Sequence, residues 1–261
     1  MLDVRHQSLY DHPRYYDLLF GSDWRAEFEF LRHCFARYAL RPVRRVFEPA
    51  CGSGRVLRKL AAAGYRTSGL DLNPRMVDFC RDRARSAGLA MRIWQADMAD
   101  FRLPQPVDAA FNLVGSFQHL ADEPAALGHL QSVSAALAAG GIYVLTLQLA
   151  ARRRRAAEAW SVRRGHLALM ARMESRGLDP ARRCERIRTT VDVYTPRQQF
   201  RLQHDAVLRS YTTVQFRRLL AKVPQLQIVA THDFAYDVEQ PITVSKTTED
   251  VVYVLQKCPA D

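Results

Sequence analysis

A short loop with two glycines is the part of the sequence best suited to hold a ligand. The run 43–47, apolar apart from Arg44 and Arg45, leads into Glu48, and Gly52 and Gly54 follow within six residues. This order predicts a strand, a tight loop and a helix, with bare backbone against which a ligand can lie. The carboxylate of Glu48 would repel a pyrophosphate, but it suits a ligand that carries positive charge.

The loop differs from the two common phosphate-binding loops. A dinucleotide-binding fingerprint needs a third glycine for close packing of helix on strand, and Leu57 occupies that position. A P-loop would continue after its glycine with Lys and Ser or Thr, whereas Arg55 and Val56 follow Gly54 here. The loop therefore favours an adenosine ligand without phosphates.

Two more acids end predicted strands downstream of the loop. Asp71 lies 17 residues after Gly54, where a carboxylate can accept hydrogen bonds from both hydroxyls of a ribose. Asp97 can accept from an exocyclic amine, while Met98 or a neighbour covers the face of the ring. Together the two acids and the loop predict a site for a nucleoside.

The elements that must position these residues alternate between strand and helix from residue 43 to residue 149. Strands are predicted at 43–47, 67–72, 91–98, 107–114 and 141–147. Asn73 and Pro74 are typical of the cap and first position of a helix, and Asp122 precedes a second helix over 125–137. Such alternation implies a parallel sheet with helices on both faces.

The flanking segments have different patterns. Residues 1–40 are predicted to be helical, with 24–39 at helical spacing. Residues 151–182 are charged and predicted to be helical at first, whereas 184–210 alternates as an antiparallel hairpin around Thr195-Pro196-Arg197. A helix over 211–222 and strands at 226–231 and 251–256 complete the predicted elements.

At this point the chain resembles the class I S-adenosylmethionine (SAM)-dependent methyltransferases. The matching segments, in the family's order, are 48–54, 69–72, 96–98, 108–112 and 139–142. The resemblance covers roughly residues 10–150. The Tyr15-Tyr16-Asp17-Leu18-Leu19-Phe20 and Ser116-Phe117-Gln118-His119-Leu120 segments look like the small-molecule branch, which includes amino-sugar and glycine/sarcosine-type N-methyltransferases.

The resemblance implies an α/β, Rossmann-like fold in a single domain. Its seven-stranded, mostly parallel sheet would have the order 3-2-1-4-5-7-6, with strand 7 antiparallel, helices on both faces and an antiparallel β insertion after strand 5. Within 1–261, the expected parts are an N-terminal helical lid (1–40), a SAM-binding core (43–150), a substrate-side insertion (151–210) and a return to the sheet (211–257).

The resemblance also implies a set of site residues. Those expected to bind SAM are Tyr16, Trp24, Glu48, Ala50, Gly52, Gly54, Asp71, Leu72, Met76, Asp97, Met98 and Leu113. His119 is expected to be a base or a substrate-orienting group, and Tyr16 to close over the methyl end of the cofactor. A nucleophile would attack the sulphonium methyl in line with the leaving thioether, so that the protein contributes alignment, water exclusion and removal of a proton.

Composition agrees with one cytoplasmic enzyme that needs no metal. The 261 residues, 48% of them hydrophobic, can form a substantial core, and no apolar run is long enough to cross a membrane. The five cysteines form no Cys-x-x-Cys pair, and the eight histidines show no metal-ligand spacing.

The net charge of +11 comes mostly from arginine, since only four of the 38 basic residues are lysines. The run Arg152–Arg155 is interpreted as a solvated linker or helix face; the alternative is a basic rim that steers an acidic substrate.

Three functions stay open from the sequence. The first is methylation of an amine or hydroxyl on a small molecule, such as a secondary metabolite or sugar. The second is RNA methylation, although nucleic acid is an unlikely partner because the tetrad used for exocyclic base amines is absent at Asn112-Leu113-Val114-Gly115. The third is a SAM-binding module or a cyclase that does not transfer methyl. No membrane partner is expected, and the chain is expected to be a monomer or a homodimer.

Overall fold

The computed structural model describes residues 2–21, 24–150, 156–245 and 247–259. Its helices are α1 (Pro13–Phe20), α2 (Trp24–Tyr38), α3 (Leu57–Ala62), α4 (Pro74–Ser86), α5 (Glu123–Ala136) and α6 (Thr213–Leu220). Its strands are β1 (Asp3–His6), β2 (Arg45–Pro49), β3 (Arg66–Asp71), β4 (Met91–Gln95), β5 (Val107–Asn112), β6 (Leu137–Gln148), β7 (Glu158–Arg164), β8 (Leu167–Asp179), β9 (Cys184–Tyr194), β10 (Gln199–Arg209), β11 (Leu226–His232) and β12 (Asp250–Lys257). None of the helices in these ranges is long and apolar enough to cross a membrane.

The larger sheet has seven strands in the order β11-β12-β6-β5-β2-β3-β4. Strand β12 is antiparallel to both of its neighbours, and the other pairs are parallel. Counted along the chain, this is the predicted order 3-2-1-4-5-7-6 with strand 7 antiparallel, so the predicted fold class is confirmed. The winding direction reverses between β2 and β5, and a crevice opens there at the carboxyl ends of the strands.

The central strands of this sheet are buried on both faces. Phe47 and Tyr143 pack into a cluster with α5 and α6, while their strand neighbours Val46 and Val144 pack with α2, α3 and α4. All four side chains are fully buried. This explains why the buried parts of β2 and β6 are apolar at successive positions, as is typical of parallel strands covered by helices on both sides.

The smaller sheet has five strands in the order β1-β10-β9-β8-β7. The β9–β10 hairpin is the one predicted from the alternating pattern, and the antiparallel insertion after the fifth strand is thereby confirmed. Its inner face, including Leu169, Val193 and Leu202, packs on Leu9 and Leu19 from the N-terminal segment. The N-terminal segment therefore lies between the two sheets.

Two parts of the secondary-structure prediction are wrong. Residues 3–6, expected to be helical, form β1, which pairs in parallel with β10. Residues 158–164 and 167–179, expected to begin as helix, form β7 and β8. Alanine, leucine and arginine favour a helix there, but pairing with β9 and burial of Leu167, Leu169 and Ala171 on one face override that preference. The run Arg152–Arg155 lies outside the described residues.

A buried histidine connects α5 to the loop after β4. His129 is fully buried; its Nδ1 donates to the Met98 carbonyl oxygen over 2.9 Å, and its Nε2 accepts from the Tyr143 hydroxyl over 2.8 Å. Burial lowers the pKa of His129 to about 4, although the Met98 carbonyl and the charge of Asp97 oppose the shift. The imidazole is therefore neutral in the folded protein at neutral pH, and it holds the Met98 backbone in place.

We expect this histidine to make the protein acid-sensitive. Between pH 6.5 and about 4 the unfolded chain binds a proton at position 129 that the folded chain does not, so the free energy of unfolding falls by about 3 kcal/mol over that window. Above pH 6.5 neither state is protonated there and the contribution is constant. Urea unfolding at pH 7 and pH 5 should show a smaller acid loss for His129→Gln than for wild type. The same substitution at the exposed His33 is the control, and equal acid losses at position 129 and in wild type would contradict the assignment.

Candidate functional site

A cavity of about 680 Å³ lies at the carboxyl ends of β2, β3, β4 and β5, where the winding direction of the sheet reverses. Its wall consists of Tyr10, Tyr16, Ala50, Gly52, Leu70, Asp71, Leu72, Asn73, Pro74, Met76, Asp97, Met98, Ala99, Val114, Ser116, His119, Leu120, Ala121 and Ala125. The volume is that of a pocket for a small molecule or cofactor. Four loops that are distant in sequence thus meet around one space.

Asp71 ties the glycine loop to the start of α4. One carboxylate oxygen accepts from the backbone N–H of Gly52 over 2.8 Å, and the other accepts from the N–H of Asn73 over 2.9 Å. Burial raises the pKa of Asp71, while these two hydrogen bonds oppose the shift. Each oxygen keeps a further acceptor position, so the carboxylate can also bind hydroxyl groups of a ligand in the cavity.

Gly54 contributes to the loop through its conformation and its lack of a side chain. Its φ of 67° lies in the left-handed region, and a methyl group built on it would overlap the sulphur of Cys80 on α4. Gly54 is not among the residues that line the cavity. It brings the loop against α4, so its role in the structure is close packing.

We expect Gly54→Ala to lower the free energy of unfolding by about 3 kcal/mol, of which about 1–2 comes from the left-handed backbone and the rest from the overlap. Gly64→Ala is a matched control, since Gly64 also has a positive φ, of 94°, but open space around it. In urea unfolding, Cys80→Ala should restore part of the loss in Gly54→Ala. A double variant no more stable than Gly54→Ala would show that the overlap with Cys80 is not the cause.

The loop after β4 carries the second acid. Asp97 is exposed, and one of its carboxylate oxygens accepts from the Ala99 N–H over 2.8 Å, which fixes the turn. Its other oxygen makes no hydrogen bond with the described part of the chain. Met98, half-buried, lines the same wall, and its carbonyl is held by His129. An acceptor and a flat apolar surface therefore lie side by side at this end of the cavity.

His119 ends a 3-10 turn, Ser116–His119, that is fixed on both sides. The buried Asn112 accepts from the Phe117 N–H over 3.1 Å and donates to the Pro49 carbonyl oxygen over 2.9 Å. Gln118 donates to the Arg209 carbonyl oxygen over 3.2 Å, which ties the turn to the smaller sheet. The imidazole of His119 is therefore held in a defined position while its ring is exposed to the cavity.

Three aromatic side chains surround the His119 end of the cavity. The Tyr10 hydroxyl lies 3.1 Å from Nε2 of His119, and its ring centre lies 5.6 Å from that of Tyr16 and 5.2 Å from that of His204 on β10. The protein packed around His119 and the charge of His204 lower the pKa of His119. Burial raises the pKa of Tyr10 and that of Tyr16, the latter to about 12. At neutral pH His119 is thus a neutral imidazole that can accept a proton, and both phenols are protonated.

The cavity brings together most of the predicted site residues. Tyr16, Ala50, Gly52, Asp71, Leu72, Met76, Asp97, Met98 and His119 all line it. Leu113 is buried in the core, and its neighbour Val114 lines the wall. Trp24 lies in a different cleft, beside Arg55 and Lys59. The roles of all these residues in binding SAM remain predictions.

Glu48 lies behind the glycine loop and does not line the cavity. Its Oε2 is buried and has no hydrogen-bond partner among the described residues. Burial raises the pKa of Glu48 well above its ordinary value, although the charge of Arg55 opposes this. An unsatisfied buried carboxylate beside the loop fits the prediction that the site receives a positively charged group.

Two features of the site were not predicted. Tyr10 lies in a segment whose sequence gave no motif; the only available signal is an aromatic residue six positions before Tyr16. Ala50 and Val114 line the cavity with positive φ angles of 54° and 60°. Such a conformation is strained for a β-branched residue, and strain of this kind concentrates at functional sites. In the described ranges, no group of three or more His, Cys, Asp or Glu side chains is placed to hold a metal ion.

Comparison with known proteins gives one family and several similar folds. Residues 46–141 match the model of the family described as Methyltransferase domain. A curated relative, the tRNA (guanine(10)-N2)-dimethyltransferase of Methanothermobacter thermautotrophicus, is 33% identical over 66 residues, which are 25% of this chain and 20% of that protein. The match thus spans only one fifth of the curated relative.

Solved structures resemble the chain over almost its whole length. An S-adenosylmethionine-dependent methyltransferase from Clostridium acetobutylicum has a TM-score of 0.76 at 18% identity, covering 96% of this chain and 99% of that one. A SAM-bound amino pentose methyltransferase from Micromonospora echinaspora, involved in calicheamicin biosynthesis, has a TM-score of 0.73 at 19% identity, covering 97% and 98%. The smaller sheet and the N-terminal segment are therefore within the shared fold. Residues 46–141 thus match a methyltransferase domain, and the whole chain shares the fold of these S-adenosylmethionine-dependent methyltransferases.

Proposed function

We propose that this protein transfers a methyl group from SAM to an amine or hydroxyl of a small molecule, such as a secondary metabolite or sugar. The observation that carries the proposal is the meeting of Asp71, the Gly52 backbone, Asp97 and His119 around one cavity. An amino pentose methyltransferase with a similar fold supports a sugar-like acceptor.

The cavity fits SAM by both its size and its chemistry. The Asp71 carboxylate would hold the ribose, Asp97 the exocyclic amine and Met98 one face of the adenine ring. The unsatisfied carboxylate of Glu48 lies behind the loop that would carry the positively charged methionine end. The acidic Glu48 precedes the glycine loop and would repel phosphate groups. This agrees with a ligand that is a nucleoside without phosphates.

The chemistry that SAM supplies when bound is a methyl group already activated by a positive sulphur. The residues of this chain then orient the acceptor, exclude water and remove a proton. His119 would accept that proton at Nδ1, while its Nε2–H donates to the Tyr10 hydroxyl, 3.1 Å away, which holds the ring in place. Tyr10 and Tyr16 would close the cavity on the side that is formed by the N-terminal segment.

The test is methyl transfer from SAM with a labelled methyl group, assayed against separate pools of amines, phenols, sugars and RNA. We expect label in an amine, hydroxyl or sugar product, together with S-adenosylhomocysteine. Label that enters only RNA would replace the small-molecule proposal with an RNA methyltransferase. Release of methylthioadenosine would identify a cyclase, and SAM binding without any product would indicate a binding module.

A further inference from the structure

A second cleft, of about 530 Å³, lies on the opposite side of α1 from the cofactor cavity. Helix α1 directs Asp17 and Leu18 into this cleft and Tyr16 into the cavity. The other walls are formed by the start of α2, by α3 with the residues before it, by α4 and by the β7–β8 hairpin. The cleft is therefore built by both parts of the fold, and nothing in the proposed methyl transfer uses it.

The charge of this cleft is strongly one-sided. Six basic side chains line it, namely Arg14, Arg55, Arg58, Lys59, Arg83 and Arg164, against a single carboxylate, that of Asp17, in the described part of the chain. Asp17 is shared, because Arg58 lies 3.1 Å and Arg83 3.6 Å from its two oxygens. Arg55 pairs with Glu27, which lies outside the cleft. Arg14 and Arg164 have no ion-pair partner among the described residues, so the positive charge exceeds what the protein neutralises.

Part of this charge is held away from water. The side chains of Arg58 and Asp17 are each only 13% exposed, and burial lowers the pKa of Arg58 even though Asp17 opposes the shift. A buried guanidinium is costly unless an anion compensates it, and the one carboxylate of Asp17 faces both Arg58 and Arg83. The wall also has an apolar part, which includes Trp24 and Phe79, and Nζ of Lys59 lies 4.2 Å from the centre of the Trp24 ring.

We propose that this cleft binds a phosphorylated small molecule with an aromatic or apolar body, at a site distinct from the cofactor cavity. Guanidinium groups bind phosphate through paired hydrogen bonds, and an aromatic ring packs against an apolar ligand body. An excess of several cations over one carboxylate favours a diphosphate over a single carboxylate group. This proposal does not depend on methyl transfer, because the cleft and the cavity are lined by different residues.

The test is calorimetric titration of inorganic pyrophosphate into the full chain without SAM. Wild type should bind one equivalent, and Arg14→Glu/Arg164→Glu should weaken binding at least tenfold. Arg102→Glu/Arg218→Glu changes the net charge equally at two exposed positions outside the cleft, and it should bind within about threefold of wild type. Far-UV circular dichroism and the midpoint of urea unfolding, measured on the same samples, should be equal in all three proteins and show that the variants are folded; SAM affinity should also be equal.

Several results would overturn this inference. Absence of saturable pyrophosphate binding in wild type would do so, as would equal weakening by the control pair, because the protein's overall charge would then explain binding. Competitive displacement of pyrophosphate by SAM would assign the anion to the cofactor cavity. Failure of SAM to bind would count against the proposed methyl transfer and leave the cleft unaffected, so the two proposals fail separately.

Discussion

Asp71→Ala is expected to weaken SAM binding at least tenfold, a loss of about 1.4 kcal/mol or more. The carboxylate has two tasks: it would accept from the ribose, and it fixes the loop through Gly52 and the start of α4 through Asn73. Hydrogen bonds to a charged group contribute about 1.5–3 kcal/mol each, so loss of both tasks should exceed the tenfold threshold. Calorimetric titration of SAM measures the change.

Two companion variants separate binding from folding. Asp78→Ala removes an exposed carboxylate from α4, within the same helix that Asp71 anchors, and should leave SAM affinity unchanged. Asp71→Asn keeps the shape but replaces one acceptor oxygen with a donor, so its affinity should fall between those of wild type and Asp71→Ala. If Asp71→Ala bound SAM as tightly as wild type, the ribose assignment would be wrong.

His119→Ala is expected to lower turnover about a hundredfold while SAM affinity changes by less than about twofold. Removal of a general base costs about 10²–10⁴ in rate, whereas the cofactor would be held by the loops after β2, β3 and β4. The comparison requires the acceptor found in the labelled-methyl assay. His33→Ala, at an exposed position on α2, is the control, and wild-type turnover in His119→Ala would reduce His119 to a structural role.

The pH dependence of turnover tests the same residue. His119 accepts a proton only when neutral, so the rate should rise with pH through a pKa below 6.5, since burial and the charge of His204 lower that pKa. His204→Gln removes the charge, so the rise in rate should move toward higher pH. The rise should disappear in His119→Ala. If it persists there, it belongs to the acceptor or to another group.

The part of the site that the sequence predicts well consists of short loops at strand ends. A glycine pair, or an acid directly after an apolar run, determines local geometry by itself, so Gly52, Asp71 and Asp97 can be located without knowledge of the rest of the chain. The order of the strands came from the resemblance, because periodicity predicts a strand but not its neighbour. Leu113 and Val114 show how precise the prediction is. Leu113 was expected to bind SAM, but it is buried in the core, and the adjacent Val114 lines the cavity.

The part that the sequence misses depends on long-range contacts. Tyr10 reaches His119 only because the N-terminal segment lies between the two sheets, and nothing near residue 10 indicates that placement. The strands β7 and β8 have a composition that favours helix and become strands through pairing with β9. Trp24 lies in a helix that begins as predicted, yet it faces the basic cleft and not the cavity.

The pairing of β1 with β10 determines when the site can be completed during synthesis. Asp3 lies opposite Phe200, so the first strand leaves the ribosome almost two hundred residues before its partner exists. A nascent chain that reaches Gln148 already contains the loops after β2, β3, β4 and β5, yet it has nothing to anchor the strand that precedes Tyr10. Because domains fold as the chain emerges, the wall formed by Tyr10 and Tyr16 cannot be anchored through β1 until β10 has been synthesised.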